Sequence, residues 1–269
     1  MKKIIVLLSG FFVLSASIKM YGQKSRLAVL VGPSIPLGAF GKSDLYNSEA
    51  GFASTGEIAA LNFAFPLNKK WNFILFASAQ TNPINRKAFE KQLDETNVGL
   101  SVFVGSSPGV PPPTAATIYK NWKFEKKSWF SASLHAGIQR EWTNSASGNS
   151  FTLTGAVGAS YIVSPNVKGS SISDTATAFV EQTKETGVGF SFHSAAGFTH
   201  PLSKKLYLTA SLVYIGTGDI IFNGLQSTTR TTRGAYGSPN YITTASFTTF
   251  NAKQKLTSVN LLVGVGIRL

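Results

Sequence analysis

Residues 258–269 read SVNLLVGVGIRL, with Val259, Leu261, Val263, Val265, Ile267 and Leu269 on every second position. Asn260, Gly264, Gly266 and Arg268 fall between them. A period of two is the signature of a strand with one apolar face. A hydrophobic strand with an unpaired edge is an aggregation hazard, so this stretch demands a fold that gives it a partner.

Composition narrows the choice. The 269 residues include 25 glycines and no cysteine, and only 14% are charged, against roughly 25% in soluble proteins. Without cysteine there is no disulfide, lipoprotein anchor or thiolate metal site. Lys2 and Lys3 precede the apolar run Ile4 to Leu14 and the small polar stretch Ser15-Ala16-Ser17. That pattern predicts an export signal, too short to span a bilayer. Cleavage is expected after Gly22, so that residues 1–22 are signal peptide and 23–269 the mature chain; Met20 fits poorly at the minus-three position, and a cut after Ser17 is the alternative. No other run approaches the length of a spanning helix.

The alternation recurs along the chain. From Trp129 to Trp142, Phe130, Ala132, Leu134, Ala136 and Ile138 oppose Ser131, Ser133, His135, Gly137, Gln139 and Glu141. Residues 150–163, 187–200 and 206–215 repeat the pattern. A soluble sheet would place Lys, Glu and Asp on its watered face. Here the second faces are mostly Gly, Ser, Thr and Asn, which suit the lumen of a narrow barrel whose apolar faces meet lipid. A spanning sheet must close, because an open edge in hydrocarbon leaves backbone groups unpaired. The expected fold is therefore all-β: a closed antiparallel transmembrane up-and-down barrel, with Gly264 and Gly266 leaving room in its lumen.

Its strands are expected near 25–34, 51–65, 71–80, 128–142, 150–163, 187–200, 206–216 and 253–269, eight in all. FAFPLNKKW (63–71) and FTHPLSKKL (198–206) read as twin tight hairpins, and TNSASGN (143–149) as a third short turn. Residues 35–50, 81–127, 164–186 and 217–250 are long links. Strict alternation of short and long predicts periplasmic turns, extracellular loops and both termini in the periplasm of a bacterium's outer membrane. Within the second long link a helix is expected over 85–95. The apolar pieces 97–104 and 117–122 leave ten strands as the alternative. Residues 223–241, rich in Gly, Ser and Thr with Arg230 and Arg233, read as a flexible solvated loop.

GPSIPLGAF at 32–40, the Pro-Leu-x-Lys-Lys turns and the glycine-alternating last strand resemble the eight-stranded outer-membrane barrels common in Bacteroidota. The resemblance implies an OmpA-like barrel. Members of that family mostly lack an assigned activity, and a few relatives serve secretion and gliding. Outer-membrane barrels commonly end in an alternating strand with a terminal aromatic that the barrel assembly machinery reads. Val263, Val265, Ile267 and Leu269 are the candidate signal, with Leu269 in the aromatic's place.

Chemistry is sparse. The three histidines are His135, His193 and His200; the first two have lumenal parity. Ser133 with His135 and Ser191 with His193 share faces, but no acid stands alongside to complete a triad. The residues therefore predict no catalysis, no cofactor and no metal site. Glu141 and Arg268 share inward parity near the turn end and are expected to pair across the lumen, since unpaired buried charge is costly. Trp71 and Trp142 are expected at the periplasmic interface, and Tyr161 and Tyr214 at the outer one. Removing residues 1–22 takes three lysines and no acid from the formal +13, leaving +10. For an exported barrel that charge points to lipid phosphates, including lipopolysaccharide, and not to nucleic acid. The leading expectation is a structural or surface-interaction role through the long loops. A small channel or a secretion or gliding accessory is the alternative, and a lipid-modifying enzyme the remote one.

Overall fold

A computed structural model describes residues 25–44, 49–95, 121–172, 176–233 and 242–269, with the main chain alone for 93–95, 176, 223–233 and 242–251. The signal segment and the piece 97–104 lie outside them, as does 117–122 but for Asn121 and Trp122. The described strands are β1 (Arg26–Pro36), β2 (Gly56–Pro66), β3 (Trp71–Pro83), β4 (Lys123–Phe124), β5 (Ser128–Thr143), β6 (Ser150–Val163), β7 (Val167–Ile172), β8 (Ala176–Gln182), β9 (Thr186–Pro201), β10 (Leu206–Thr217), β11 (Ile220–Arg233), β12 (Ile242–Gln254) and β13 (Thr257–Arg268). Eight of them form the wall, closing in the order β1-β13-β10-β9-β6-β5-β3-β2 and back to β1. The ring closes with eight strands, so ten is excluded.

Closure answers the problem posed by the last strand. β13 pairs antiparallel with β1 from Arg26↔Arg268 to Pro36↔Ser258, and with β10 on its other side. Its apolar positions stay outward, with Val263 59% and Leu269 59% exposed, while Ser258 and Asn260 are fully buried. The same parity holds on β5, where Leu134 is 61% exposed and its neighbour His135 is buried. Outward apolar side chains on β5 run from Phe130 to Trp142. Twelve steps of about 3.3 Å on a tilted strand give a belt about 30 Å tall.

The short links are built by side-chain capping. Asn68 Oδ1 accepts from the backbone of Lys70 (2.9 Å) and Trp71 (3.0 Å). Ser203 Oγ does the same for Lys205 (3.2 Å) and Leu206 (3.0 Å). The shared Pro-Leu-x-Lys-Lys sequence thus makes one turn twice, with Pro66 and Pro201 at strand ends. In the third turn Asn144 caps Ala146 at 2.9 Å, and Gly148 takes a φ of +70°, where only glycine is unstrained.

The long links depart from expectation, because they fold. The remaining five strands form a second sheet ordered β12-β11-β8-β7-β4. Residues 223–233 are therefore strand, not flexible loop; 234–241 lie outside the described residues. The last wall strand, expected from residue 253, starts at Thr257 because 253–254 belong to β12. At that joint Thr217 and Leu256 exchange bonds, Thr217 N to Leu256 O and Leu256 N to Thr217 Oγ1, each 2.9 Å. The helix Arg86–Glu95 forms as expected, started by Asn85, whose Oδ1 accepts from Ala88 N at 3.2 Å. Its Phe89 packs edge-on against Phe52 (4.9 Å) and Phe124 (4.7 Å).

Candidate functional site

The lumen is the place where the sequence put its few reactive side chains, and it is filled in four layers. At the turn end Arg26 grips Glu141 through both guanidinium nitrogens, Nη1 donating to Oε1 at 2.8 Å and Nη2 to Oε2. This two-pronged pairing is the strong form of a carboxylate contact. Asn72 Nδ2 donates to Glu141 Oε2 (3.1 Å) and Gln139 Oε1 (3.2 Å), and Gln139 donates on to Thr154 (3.2 Å). Glu141 does have an inward cationic partner, but it is Arg26 and not the expected Arg268. The reason is ring geometry. β13 stands four strands from β5 in either direction, diametrically across the barrel, whereas β1 is three strands away. Arg26 and Arg268 face each other in the ladder, so two arginines compete for one carboxylate and the nearer takes it.

The second layer joins the histidines. His135 Nε2 and Ser191 Oγ lie 2.9 Å apart, and Ser133 Oγ and Ser160 Oγ 2.6 Å. His193 stacks on Phe76 with centroids 4.3 Å apart and planes within 9°, and lies 5.7 Å from the His135 ring. The serine that His135 meets is not its strand neighbour Ser133. His135 is opposite Gly158 on β6, and Gly158 is opposite Ser191 on β9. With no side chain at Gly158, imidazole and hydroxyl meet over the intervening strand. A Cβ there would sit 1.9 Å from the Leu134 carbonyl oxygen. Sequence parity put all three residues inward, but the row needed the register, which no motif carries.

Among the described residues no acid orients the Ser–His pair. His135 Nδ1 lacks a hydrogen-bond partner among the described residues. Glu141, on the same face of β5, is six residues or about 20 Å away and held by Arg26. His135 and Ser191 are both 0% exposed. Among the described residues no three His, Cys, Asp or Glu side chains gather into a metal-binding group. His200 is exposed at the turn end, with Nδ1 2.8 Å from Asn149 Oδ1.

The third layer is a polar network across β1, β3 and β13. Asn82 Nδ2 donates to the Ser34 and Ser54 carbonyls (3.1 Å each), Gln80 to Asn82 (3.1 Å), and Ser258 to Gln80 (3.3 Å). Above it an apolar plug of Phe40, Ile162, Ile220, Phe222 and Leu256 closes the loop end. Trp129 packs edge-on against Phe40 at 5.7 Å, and its Nε1 donates to the Gly51 carbonyl at 2.8 Å. Side chains fill the interior of an eight-stranded barrel of this kind, and this cluster fills its loop end.

Outside, Trp142 is 41% and Tyr161 42% exposed, at opposite ends of the belt. Arg140, which points outward, sits 5.6 Å from the Trp71 ring and 4.9 Å from that of Trp142. Tyr214 packs on Phe192 at 5.6 Å near the loop end. Gly264 and Gly266 do not leave the expected space inside. The Tyr207 ring occupies the place of a Gly266 side chain, and the Val29 carbonyl that of Gly264.

Wall and lumen together define a closed eight-stranded antiparallel barrel with an apolar exterior and a packed interior, in which the polar layers share space with a buried apolar cluster that includes Leu30, Ile58, Ile74, Phe76, Ile215 and Leu262. No protein-family model and no curated protein matches the chain. Among solved structures it is similar to Ail, the attachment invasion locus protein of Yersinia pestis (12% identity, 91% of this chain and 99% of that one, TM-score 0.37). It is similar also to a major outer membrane protein from Thermus thermophilus (9% identity, 91% and 99%, TM-score 0.39). A third is a mutant of the TodX monoaromatic hydrocarbon channel (9% identity, 93% and 91%, TM-score 0.23). The barrel assignment rests on this chain's own strand ladders and not on likenesses of that size.

Proposed function

We propose that the chain is an integral outer-membrane barrel, neither enzyme nor channel, that holds a folded β-sheet at the bacterial surface to contact a partner. The short turns and both ends of the wall lie in the periplasm, residues 1–22 direct export, and the architecture is that of the Bacteroidota barrels the sequence resembles. The assembly machinery reads Val263, Val265, Ile267 and Leu269, all outward on the strand that closes the ring.

The observation that carries this reading is the second sheet. Three long links converge to build it, and its outer strand β12 is 13 residues long. Among the described residues no strand pairs with the free side of β12. Proline and charge are the usual guards of an exposed edge, yet residues 242–254 (ITTASFTTFNAKQ) contain no proline and a single charge, Lys253 near the end. An unguarded edge offers main-chain hydrogen bonds to an incoming strand. The packed lumen supports the exclusion of conduction, and the buried, acid-free Ser–His pair supports the exclusion of catalysis.

The test has two parts. A cysteine in place of Ile172, exposed on the loop sheet, should react with an impermeant maleimide on intact cells. One at Ser203 should react only after the outer membrane is opened. Purified protein in planar bilayers should give no single-channel steps. Reversed labelling would overturn the orientation, and steady steps would overturn the closed lumen.

A further inference from the structure

The second sheet is the barrel wall carried further. Its order, β12-β11-β8-β7-β4, repeats that of the wall strands β13-β10-β9-β6-β5. The ladders run on as well. Val163↔Thr186 on the wall is followed by Val167↔Gln182 on the sheet, four residues further along both strands. Between them Ser164 N donates to Glu185 O at 2.8 Å. Phe130↔Val163 continues in the same way to Lys123↔Ser170, seven residues along each strand. Only at β10 does the register slip, by one residue, as Gly216↔Thr257 gives way to Ile220↔Gln254. Five wall strands thus rise past the loop end as a half-wall, and β1, β2 and β3 have no continuation in it.

The two outer strands of the half-wall differ. On β4, Phe124 N donates to Glu90 Oε1 at 2.9 Å and Phe124 O accepts from Arg86 Nη1 at 3.5 Å. The helix Arg86–Glu95 therefore caps that edge. On the other side β1 ends at Pro36, and Leu37 N makes a last bond to Thr257 O at 2.9 Å. Beyond it no described strand pairs with the outer side of β12. The 13 residues of β12 leave roughly 40 Å of main chain open there. The missing neighbour is a continuation of β1, which would run antiparallel to β12.

One capped edge and one open edge restrict what a second copy can do. Head-to-tail stacking lacks a second surface, so like pairs with like, and such pairing closes at two copies. A second β12 also matches the first in length. Paired antiparallel about position 248, the one charged position, 253, comes opposite 243, and no charge meets a like charge.

We propose that the β12 edge binds the β12 edge of a second copy of this chain, antiparallel, across two facing membranes. Such a pair has its two-fold axis normal to the sheet. Because the sheet strands continue the wall strands, that axis lies across the barrel axis and sends the two barrels to opposite ends. Side-by-side copies in one membrane would pair parallel instead. The proposal rests on the surface-display reading and names its partner.

The experiment uses the refolded full chain in two populations of phosphatidylcholine vesicles, with heat-modifiable migration verifying each fold. The unaltered chain should tether the populations, read by light scattering. Thr248→Lys sets like charges opposite each other and should weaken tethering about fivefold for each pair formed, as should Thr248→Glu. One population of each should restore it, which a merely misfolded edge would not. The chain has no cysteine of its own, so Thr243→Cys in one population and Lys253→Cys in the other can be joined by a short bismaleimide. The 243–253 product should dominate. No tethering by the unaltered chain, no rescue on mixing, or dominant 243–243 product would overturn the self-pairing. If the cysteine at Ile172 is labelled from outside intact cells, surface display survives that result. Its protection there would overturn both.

Discussion

Replacing Gly158 by alanine probes the interior more sharply than any change to a charged group. The added methyl would lie 1.9 Å from the Leu134 carbonyl oxygen and 2.8 Å from the His135 Cα. Both contacts are with backbone, so β5 and β6 must separate and the 2.9 Å His135–Ser191 contact is stretched. Overpacking a close-packed interior costs about 1–3 kcal/mol. A weakened buried hydrogen bond adds about 1–2 kcal/mol, so the expected loss is about 2–5 kcal/mol. Gly155, three residues earlier on the same strand, is the control, since a Cβ there meets nothing within 4 Å. Gly155→Ala should change stability by less than about 0.5 kcal/mol. The assay is urea unfolding of both variants in lipid vesicles, followed by tryptophan fluorescence and by heat-modifiable migration. Equal stability of the two variants would refute the row of His135, Gly158 and Ser191.

Three further outcomes follow from named contacts. Glu141→Gln should cost about 2–4 kcal/mol in the same assay, because Arg26 loses its anion in a site where the two side chains are only 14% and 15% exposed; adding Arg26→Met to it should restore much of that. Asp in place of Val263 or Val265, or removal of the last few residues, should block membrane insertion, read as loss of heat-modifiable protein from the outer-membrane fraction. Outside the belt, the Lys127 hydrogen bond and charge, aided by Lys168, hold the Glu125 carboxyl below the ordinary glutamate range. Its contribution is present at neutral pH and fades as pH falls through that lowered value; NMR titration should show the midpoint rising in Lys127→Met.

The wall was legible because period-two alternation and short polar turns are local signals. Residues 128–142 declare both faces without any knowledge of their neighbours, and the twin Pro-Leu-x-Lys-Lys turns mark where strands reverse. The loop sheet was not legible. β11 pairs with β8 some fifty residues earlier, Ser227 with Gln182, and its run of Thr, Ser and Arg resembles a solvated link when read alone. The ion pair shows the same limit. Parity put Glu141 and Arg268 inside, but only the strand order shows that Arg26 on β1 is the nearer arginine. The Ser–His contact depends in turn on a glycine whose importance lies in what it lacks.

The central claim is that the alternating faces of β13 divide lipid from a closed, packed lumen. Spin labels placed one at a time from position 259 to 267, in protein reconstituted into vesicles, test it directly. Collision with oxygen should be high at 259, 261, 263, 265 and 267 and low at the positions between, with water-soluble nickel excluded from the middle of the strand. High nickel collision on either face at mid-strand would contradict the account, since it would place water where lipid or packed side chains belong.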